Sequence, residues 1–227
     1  MKTRFNLAKD KKEWDIADNW KHVIFSDEST FDISSTGPVW VRRPVGQRYN
    51  PKFINKIRNR ALAHVNVWGA FSSHGYVQIM RIEGNLNSQG YMDILNGRQL
   101  PNLNNLLPQA GFFQQDNAPI HNSKITRAYL QQNNIQVMDW PPLSPDMNPI
   151  ENVWAEISKK LEREKIKNSE ELFTKINEIW ENLMKNYEYR MSLIDSMPKR
   201  VLALIESKGG QQNIKLEFGC NIFAVTV

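Results

Sequence analysis

Three acidic residues stand where a folded chain could gather them for metal chemistry. Asp27 follows the apolar run Val23-Ile24-Phe25, Asp116 follows Phe112-Phe113, and Glu151 opens a segment of helical pattern 35 positions after Asp116. Buried strands would deliver the two aspartates at their C-terminal ends, where open α/β sheets place ligand and catalytic groups. If the helix that starts near Glu151 packs back over those ends, the three carboxylates converge. Such a trio repels itself in a low-dielectric pocket unless cations sit among them, and an oxygen-only donor set points to Mg²⁺ or Mn²⁺. Two such ions about 3.5–4 Å apart clamp the attacking and leaving oxygens of a phosphoryl transfer. That chemistry needs no protein nucleophile. The chain has no GxSxG elbow and no phosphate-cradling glycine loop, and its one cysteine, Cys220, lies outside any histidine-containing cluster.

Each of these residues also has a simpler reading. Asn148-Pro149-Ile150-Glu151 is a capping box with proline at the first helical position, in which the glutamate satisfies a backbone N–H. Asp27 fits a turn, and Asp116-Asn117-Ala118-Pro119 fits an Asx-turn before a helix. His121 reads as a helix-start or turn histidine, because no second His or Cys stands at ligand spacing. Trp140-Pro141-Pro142 is a rigid corner.

Something must position these groups, and the chain is long enough to supply it. At 227 residues with 41% apolar positions it accommodates one full-size domain, or a domain with a small appendage. Charged residues at 23%, with 11 Gly and 11 Pro, exclude a disordered acidic tail, a collagen-like repeat and a low-complexity linker. A single cysteine excludes a disulfide framework and fits a reducing compartment. No apolar run approaches the about 18 residues of a membrane span, mean hydropathy is −0.55, and MKTRFNLAKD lacks the apolar stretch of a secretory signal. A soluble, intracellular chain with no membrane partner is expected.

The pattern predicts antiparallel strands first, a βαβ unit second and helices last, hence an α/β fold with a mixed sheet covered by helices. Lys11 to Trp20 reads as a short polar helix or connector, residues 22–29 as a buried strand and Thr30 to Ser34 as a second one. Residues 61–73 and 75–84 read as two β-rich runs joined by a hairpin, with a helix from about Ser88 to Leu107 after them. Strand GFFQQD, a helix from Ser123 to Gln132 with Ile125, Ala128 and Tyr129 on one face, and strand QVMDW form the βαβ unit. Beyond it, Leu172, Ile176, Ile179, Trp180 and Leu183 make one apolar stripe opened by an Asn168 to Glu171 cap. Pro198 breaks the last helical pair, and Gly209-Gly210 ends it.

Net charge is +5, and the excess lies at the front: residues 1–60 carry 13 basic and 7 acidic side chains. No acidic residue stands between Asp32 and Glu83, where Arg42, Arg43, Arg48, Lys52, Lys56, Arg58, Arg60 and Arg81 alternate with Trp40, Tyr49 and Phe53. Guanidinium forks grip phosphates and aromatic faces stack on bases, so the segment suits a nucleic acid; a solvated basic loop has the same composition.

FSDES around Asp27, VNVWGAF at 65–71, QQDNAPIH around Asp116 and WPPLSPDMNPIENVW around Glu151 resemble the catalytic domain of Tc/mariner superfamily DNA transposases. The likeness runs from about Arg4 to Gly210, through RRPVGQRYNP and DSMPKRVLALIESKGG. With 34 residues between Asp116 and Glu151, it resembles the Asp-Asp-Glu branch. The resemblance implies a ribonuclease-H-like mixed β-sheet flanked by helices, with a basic loop insertion at 36–60 and C-terminal helices. The implied layout is a connector helix at 1–20, a catalytic domain at 21–165, a helical part of the same domain at 166–210 and a tail at 211–227. It further implies that Asp27, Asp116 and Glu151 hold two Mg²⁺ or Mn²⁺ ions. The activity implied is cleavage of phosphodiesters at transposon ends and joining of the freed 3′ hydroxyl to double-stranded target DNA at a TA step. Arg42, Arg43, Arg48, Lys52, Asn117, His121 and Lys124 are the expected DNA contacts. A homodimer in the full-length form and residence in the nucleus are expected too. The family's upstream helix-turn-helix region is absent from the residues shown, the glycine-rich segment before VxVWG is here Ile57 to Ala63, and LEFGCNIFAVTV has no family counterpart. An inactive or recruited DNA-binding descendant, and a ribonuclease-H-like nuclease acting on RNA in a hybrid, are the rival readings.

Overall fold

The computed structural model describes residues 1–34, 61–96, 106 and 111–210. The basic segment with Arg42, Arg43, Arg48 and Lys52 and the tail from 211 lie outside the described residues.

The sheet is built on one long pair. Strand β1, Val23–Ser34, runs antiparallel to β2, Ala61–Ser72, with Phe25 opposite Phe71 and Asp27 opposite Gly69. The two strands expected over 22–34 are therefore one, because β2 pairs with it along its length. On the far side of β2 lie β3, Gly75–Tyr76, and β4, Met80–Ile82. The single run expected over 75–84 is thus two short strands. On the other edge β5, Phe112–Gln114, runs parallel to β1. The strand expected at QVMDW is reduced to one parallel bridge, Phe113 to Val137.

Alternation along β1 assigns its residues to two cores. Val23 and Phe25 join Val65, Val67 and Phe71 on one face, under helices α4, Ile150–Leu161, α5, Ser169–Lys185, α6, Tyr187–Asp195, and α7, Met197–Glu206. Ile24 joins Trp68, Ala70 and Phe113 on the other, under α2, Ser88–Asn96, and α3, Lys124–Gln132. This is the mixed sheet flanked by helices that the resemblance implied. Among the described residues no helix is long and apolar enough to cross a membrane.

The Asn168 cap forms, with Asn168 Oδ1 accepting the Glu171 N–H at 2.9 Å and Glu171 Oε2 accepting the Lys167 N–H at 2.8 Å. Helix α5 then buries Leu172, Ile176, Trp180 and Met184. In α3 the buried residues are Thr126 and Leu130, with Tyr129 partly buried against the same core; Ala128 is exposed and Ile125 is 48% exposed. Polar anchoring overrides apolar pattern there, because Ser123 caps the helix and Thr126 donates to the Ile120 carbonyl at 2.7 Å. The N-terminal helix is α1, Lys2–Asp10, upstream of the expected Lys11 to Trp20. It packs on α7, where Gly209 has φ +88° and a Cβ would stand 2.3 Å from the Met1 carbonyl oxygen.

Candidate active site

The parallel pairing of β1 and β5 answers what spacing could not. Val23, Ile24 and Phe25 stand opposite Phe112, Phe113 and Gln114; two residues further along the same offset, Asp116 falls opposite Asp27. Neighbouring strands lie about 4.8 Å apart, so both aspartates issue from one place on the sheet. Asp27 is not at the end of its strand as expected. β1 continues to Ser34, and β5 is the strand that stops, opening the β1 edge beside Asp27.

Helix α4 brings the third carboxyl. Two tryptophans seat it: Trp154 of α4 stacks on Trp180 of α5 with ring centroids 5.3 Å apart. Both press on Gly69, where a Cβ would lie 2.9 Å from Trp154 and 2.8 Å from Trp180. Asn148 ties the helix start to the sheet, donating from Nδ2 to the Ser26 carbonyl at 3.1 Å and accepting the Ile150 N–H at 3.3 Å. The Glu151 carboxyl stands close enough to Asp27 for each to act on the other's ionisation, so the side chain faces the sheet.

Burial pushes the Asp27 carboxyl well above the usual range, and the charges of Glu151, Glu28 and Asp116 add to this. Burial also raises Glu151, with the Asp27 hydrogen bond and the Arg200 charge pulling it back. Asp27 further accepts the Glu28 N–H at 2.9 Å.

Asp116 is close but turned away. Its Oδ1 accepts the Ala118 N–H at 2.8 Å, so the Asx-turn forms, and lies 2.6 Å from His121 Nδ1. Burial alone would raise the carboxyl, yet these hydrogen bonds hold it below its ordinary value. The other imidazole nitrogen, Nε2, lies 3.3 Å from Glu28 Oε1. Between two carboxylates His121 is pushed up to about 9, although burial opposes its charge. Tyr91 packs its ring 4.3 Å from the imidazole and donates to Gln115 Oε1 at 2.8 Å. Among the described residues no three carboxylate, imidazole or thiol groups already stand at metal-holding separations.

The structure therefore brings Asp27 and Glu151 close together and sets Asp116 on the adjoining strand. His121 is 2% exposed, with both ring nitrogens facing carboxylates. Asn117 is exposed, bonding the Trp140 carbonyl and Asn122, and Lys124 is exposed at the start of α3. A cleft of about 240 Å³ beside Asp116 is lined by Gln115, Asn117, Asn122, Met138 and Trp140. Sequence reasoning missed Glu28, Tyr91, Asn148 and Arg200. Glu28 was detectable: in a strand it must face opposite to Asp27, and an acidic residue on an otherwise apolar face needs a partner.

A family model described as DDE superfamily endonuclease matches residues 22–173. The Tcb1 transposase of Caenorhabditis briggsae is 33% identical over 209 residues, spanning 92% of this chain and 76% of that protein. The Tc1 transposase of Caenorhabditis elegans is 35% identical over 191 residues, spanning 84% and 69%. In fold, the chain is similar to the Mos1 transposase catalytic domain solved with raltegravir and Mn, with TM-score 0.68 and 17% identity over 93% of this chain and 95% of that one.

Proposed function

This chain belongs to the DDE superfamily endonucleases, and on that premise we propose that it is the catalytic domain of a Tc1/mariner-type transposase. It cuts phosphodiesters at transposon ends and joins the freed 3′ hydroxyl to double-stranded DNA at a TA step. The observation that carries the reading is the Asp27–Glu151 contact, with Asp116 issuing from the adjoining strand at the matching position.

The donor set fits divalent cations. Burial first, and then the charges of Glu151, Glu28 and Asp116, hold Asp27 well above its ordinary ionisation, as carboxylates gathered for a cation are before they are neutralised. Asp27 and Asp116 would share one ion and Glu151 would complete a second site, with Mg²⁺ or Mn²⁺ as the hard cations that all-oxygen donors suit. Bound there, the ions activate the attacking oxygen and stabilise the leaving one. The chain's own residues do the rest. The Trp154–Trp180 stack and Asn148 hold Glu151 against the sheet, and His121 fixes the orientation of Asp116. Asn117 and Lys124 on the exposed rim, with Arg42, Arg43, Arg48 and Lys52, are the groups assigned to phosphate contact. The substrate implies a homodimer bringing two ends together and residence in the nucleus.

The test is strand joining. Purified protein supplied with Mg²⁺ or Mn²⁺ is expected to join pre-cleaved ends to a TA-containing duplex, with Glu151→Gln inactive. Equal, background-level joining by both proteins overturns the proposal.

A further inference from the structure

Helix α7 places an arginine on its apolar side. Met197, Arg200, Val201 and Leu204 are all buried, and Arg200 is 1% exposed. Its guanidinium donates in three directions: from Nε to Ser196 Oγ at 2.9 Å, from Nη1 to the Asp146 carbonyl at 2.6 Å, and from Nη2 to Asn152 Oδ1. Burying a guanidinium carries a desolvation penalty that an apolar side chain of similar volume avoids. What the arginine adds is direction, because its fork binds the turn leading into α4 and the residue next to Glu151. A second buried arginine grips that turn from α1. Arg4 bonds both Asp146 carboxylate oxygens, at 2.8 and 2.6 Å, and donates to the Leu143 carbonyl at 2.9 Å.

We propose that Arg200 is a positioning residue for Glu151: with Arg4 it clamps the 143–152 segment so that the first turn of α4 holds the carboxyl against Asp27. Neither arginine lies in the segments that carry the three carboxylates. The field of the same guanidinium also reaches Glu151. Catalytic groups misplaced by about 1 Å lose about 100-fold in rate, so the clamp acts on turnover without touching substrate.

The inference rests on the reading of Glu151 as a metal ligand, so the experiment separates the two. Arg200→Gln and Arg200→Lys are compared with Leu204→Ala, which loosens the same helix without touching the clamp, and with Glu151→Gln. Three quantities are read on folded protein: Mn²⁺ affinity by calorimetry, hydrogen exchange at the Glu151 and Asn152 amides, and kcat and KM for strand joining. Both Arg200 variants are expected to weaken Mn²⁺ binding at least threefold and to speed exchange at those amides about tenfold. They should lower kcat with KM for DNA within twofold. Leu204→Ala is expected to lower Tm and leave Mn²⁺ affinity and those two amides unchanged. Wild-type affinity and exchange in both Arg200 variants, or equal effects from Leu204→Ala, overturn the clamp. If Arg200→Gln does not fold, Arg200→Lys decides by the same criteria. If Glu151→Gln binds Mn²⁺ as the parent does, the ligand reading has failed, and the exchange rates alone decide whether the clamp exists.

Discussion

His121 offers a charge whose contribution can be measured. Both ring nitrogens face carboxylates, Asp116 at 2.6 Å and Glu28 at 3.3 Å, and only the imidazolium donates from both. The folded value of about 9 against an ordinary 6.5 corresponds to roughly 3 kcal/mol of stability at about 1.4 kcal/mol per unit. Because the folded value is the higher one, the folded state binds the proton more tightly. The contribution is complete below 6.5 and is lost as pH rises through about 9. Chelated protein, free of divalent cations, is unfolded with urea at intervals from pH 6 to pH 10, in parallel with His121→Gln, which carries no titrating ring. Wild-type stability minus variant stability is expected to shrink by roughly 3 kcal/mol across that range, and the imidazole carbon-bound protons to titrate near 9 by NMR. A flat difference, or a ring that titrates at or below 6.5, would show that the two carboxylates do not hold a cation between them.

Gly69→Ala places a methyl 2.8 Å from the Trp180 ring and 2.9 Å from Trp154. Overpacking of this kind destabilises by about 1–3 kcal/mol, so a fall in Tm of about 2–12 °C is expected by calorimetry; an unchanged Tm contradicts the close packing. Asp27→Asn removes a charge that its surroundings disfavour. In chelator it is expected to melt higher by about 2–4 °C, for a gain of about 1 kcal/mol, while strand joining is abolished. Since an acid with a raised folded value binds its proton better when folded, the advantage of the Asn variant over the wild type should also narrow as pH falls; a variant that melts lower than the parent at neutral pH refutes the cost of holding a buried charge among other acids.

What the residue pattern revealed follows the strength of the local signal. The stripe in α5 and its Asn168 cap were legible because apolar spacing and capping chemistry agree over five turns. The β1–β2 pair was legible as strand but not as one long strand, because polar residues from Asp27 onward look like an ending until β2 is seen opposite them. Val137 failed to become a strand because only Phe113 pairs with it, a fact about neighbours that no periodicity encodes. At Glu151, capping box and catalytic carboxyl share one motif. Packing decides which way the glutamate turns: the helix starts at Pro149 with no side-chain cap bond, and the Asn148 side chain bonds the Ser26 carbonyl and the Ile150 N–H instead. Arg200 was visible in principle, since an arginine at helical spacing among Met197, Val201 and Leu204 breaks the apolar pattern and therefore needs partners.

Alternation along β1 explains why this site has two sides. Asp27 faces α4, where it and Glu151 act on each other's ionisation; Glu28, one residue on, faces α2 and α3 and meets His121. Asp116 belongs to both, since its strand position pairs it with Asp27 while its carboxylate accepts from the imidazole. The imidazole of His121, pushed up to about 9 between Asp116 and Glu28, sets positive charge among the four carboxyls. The fold thus tolerates a concentration of acid that would be destabilising if fully ionised. A site that needed only structural carboxylates would have buried neutral groups in their place; this one keeps ionisable oxygens at the open edge of β1, where β5 has stopped and a phosphate can approach.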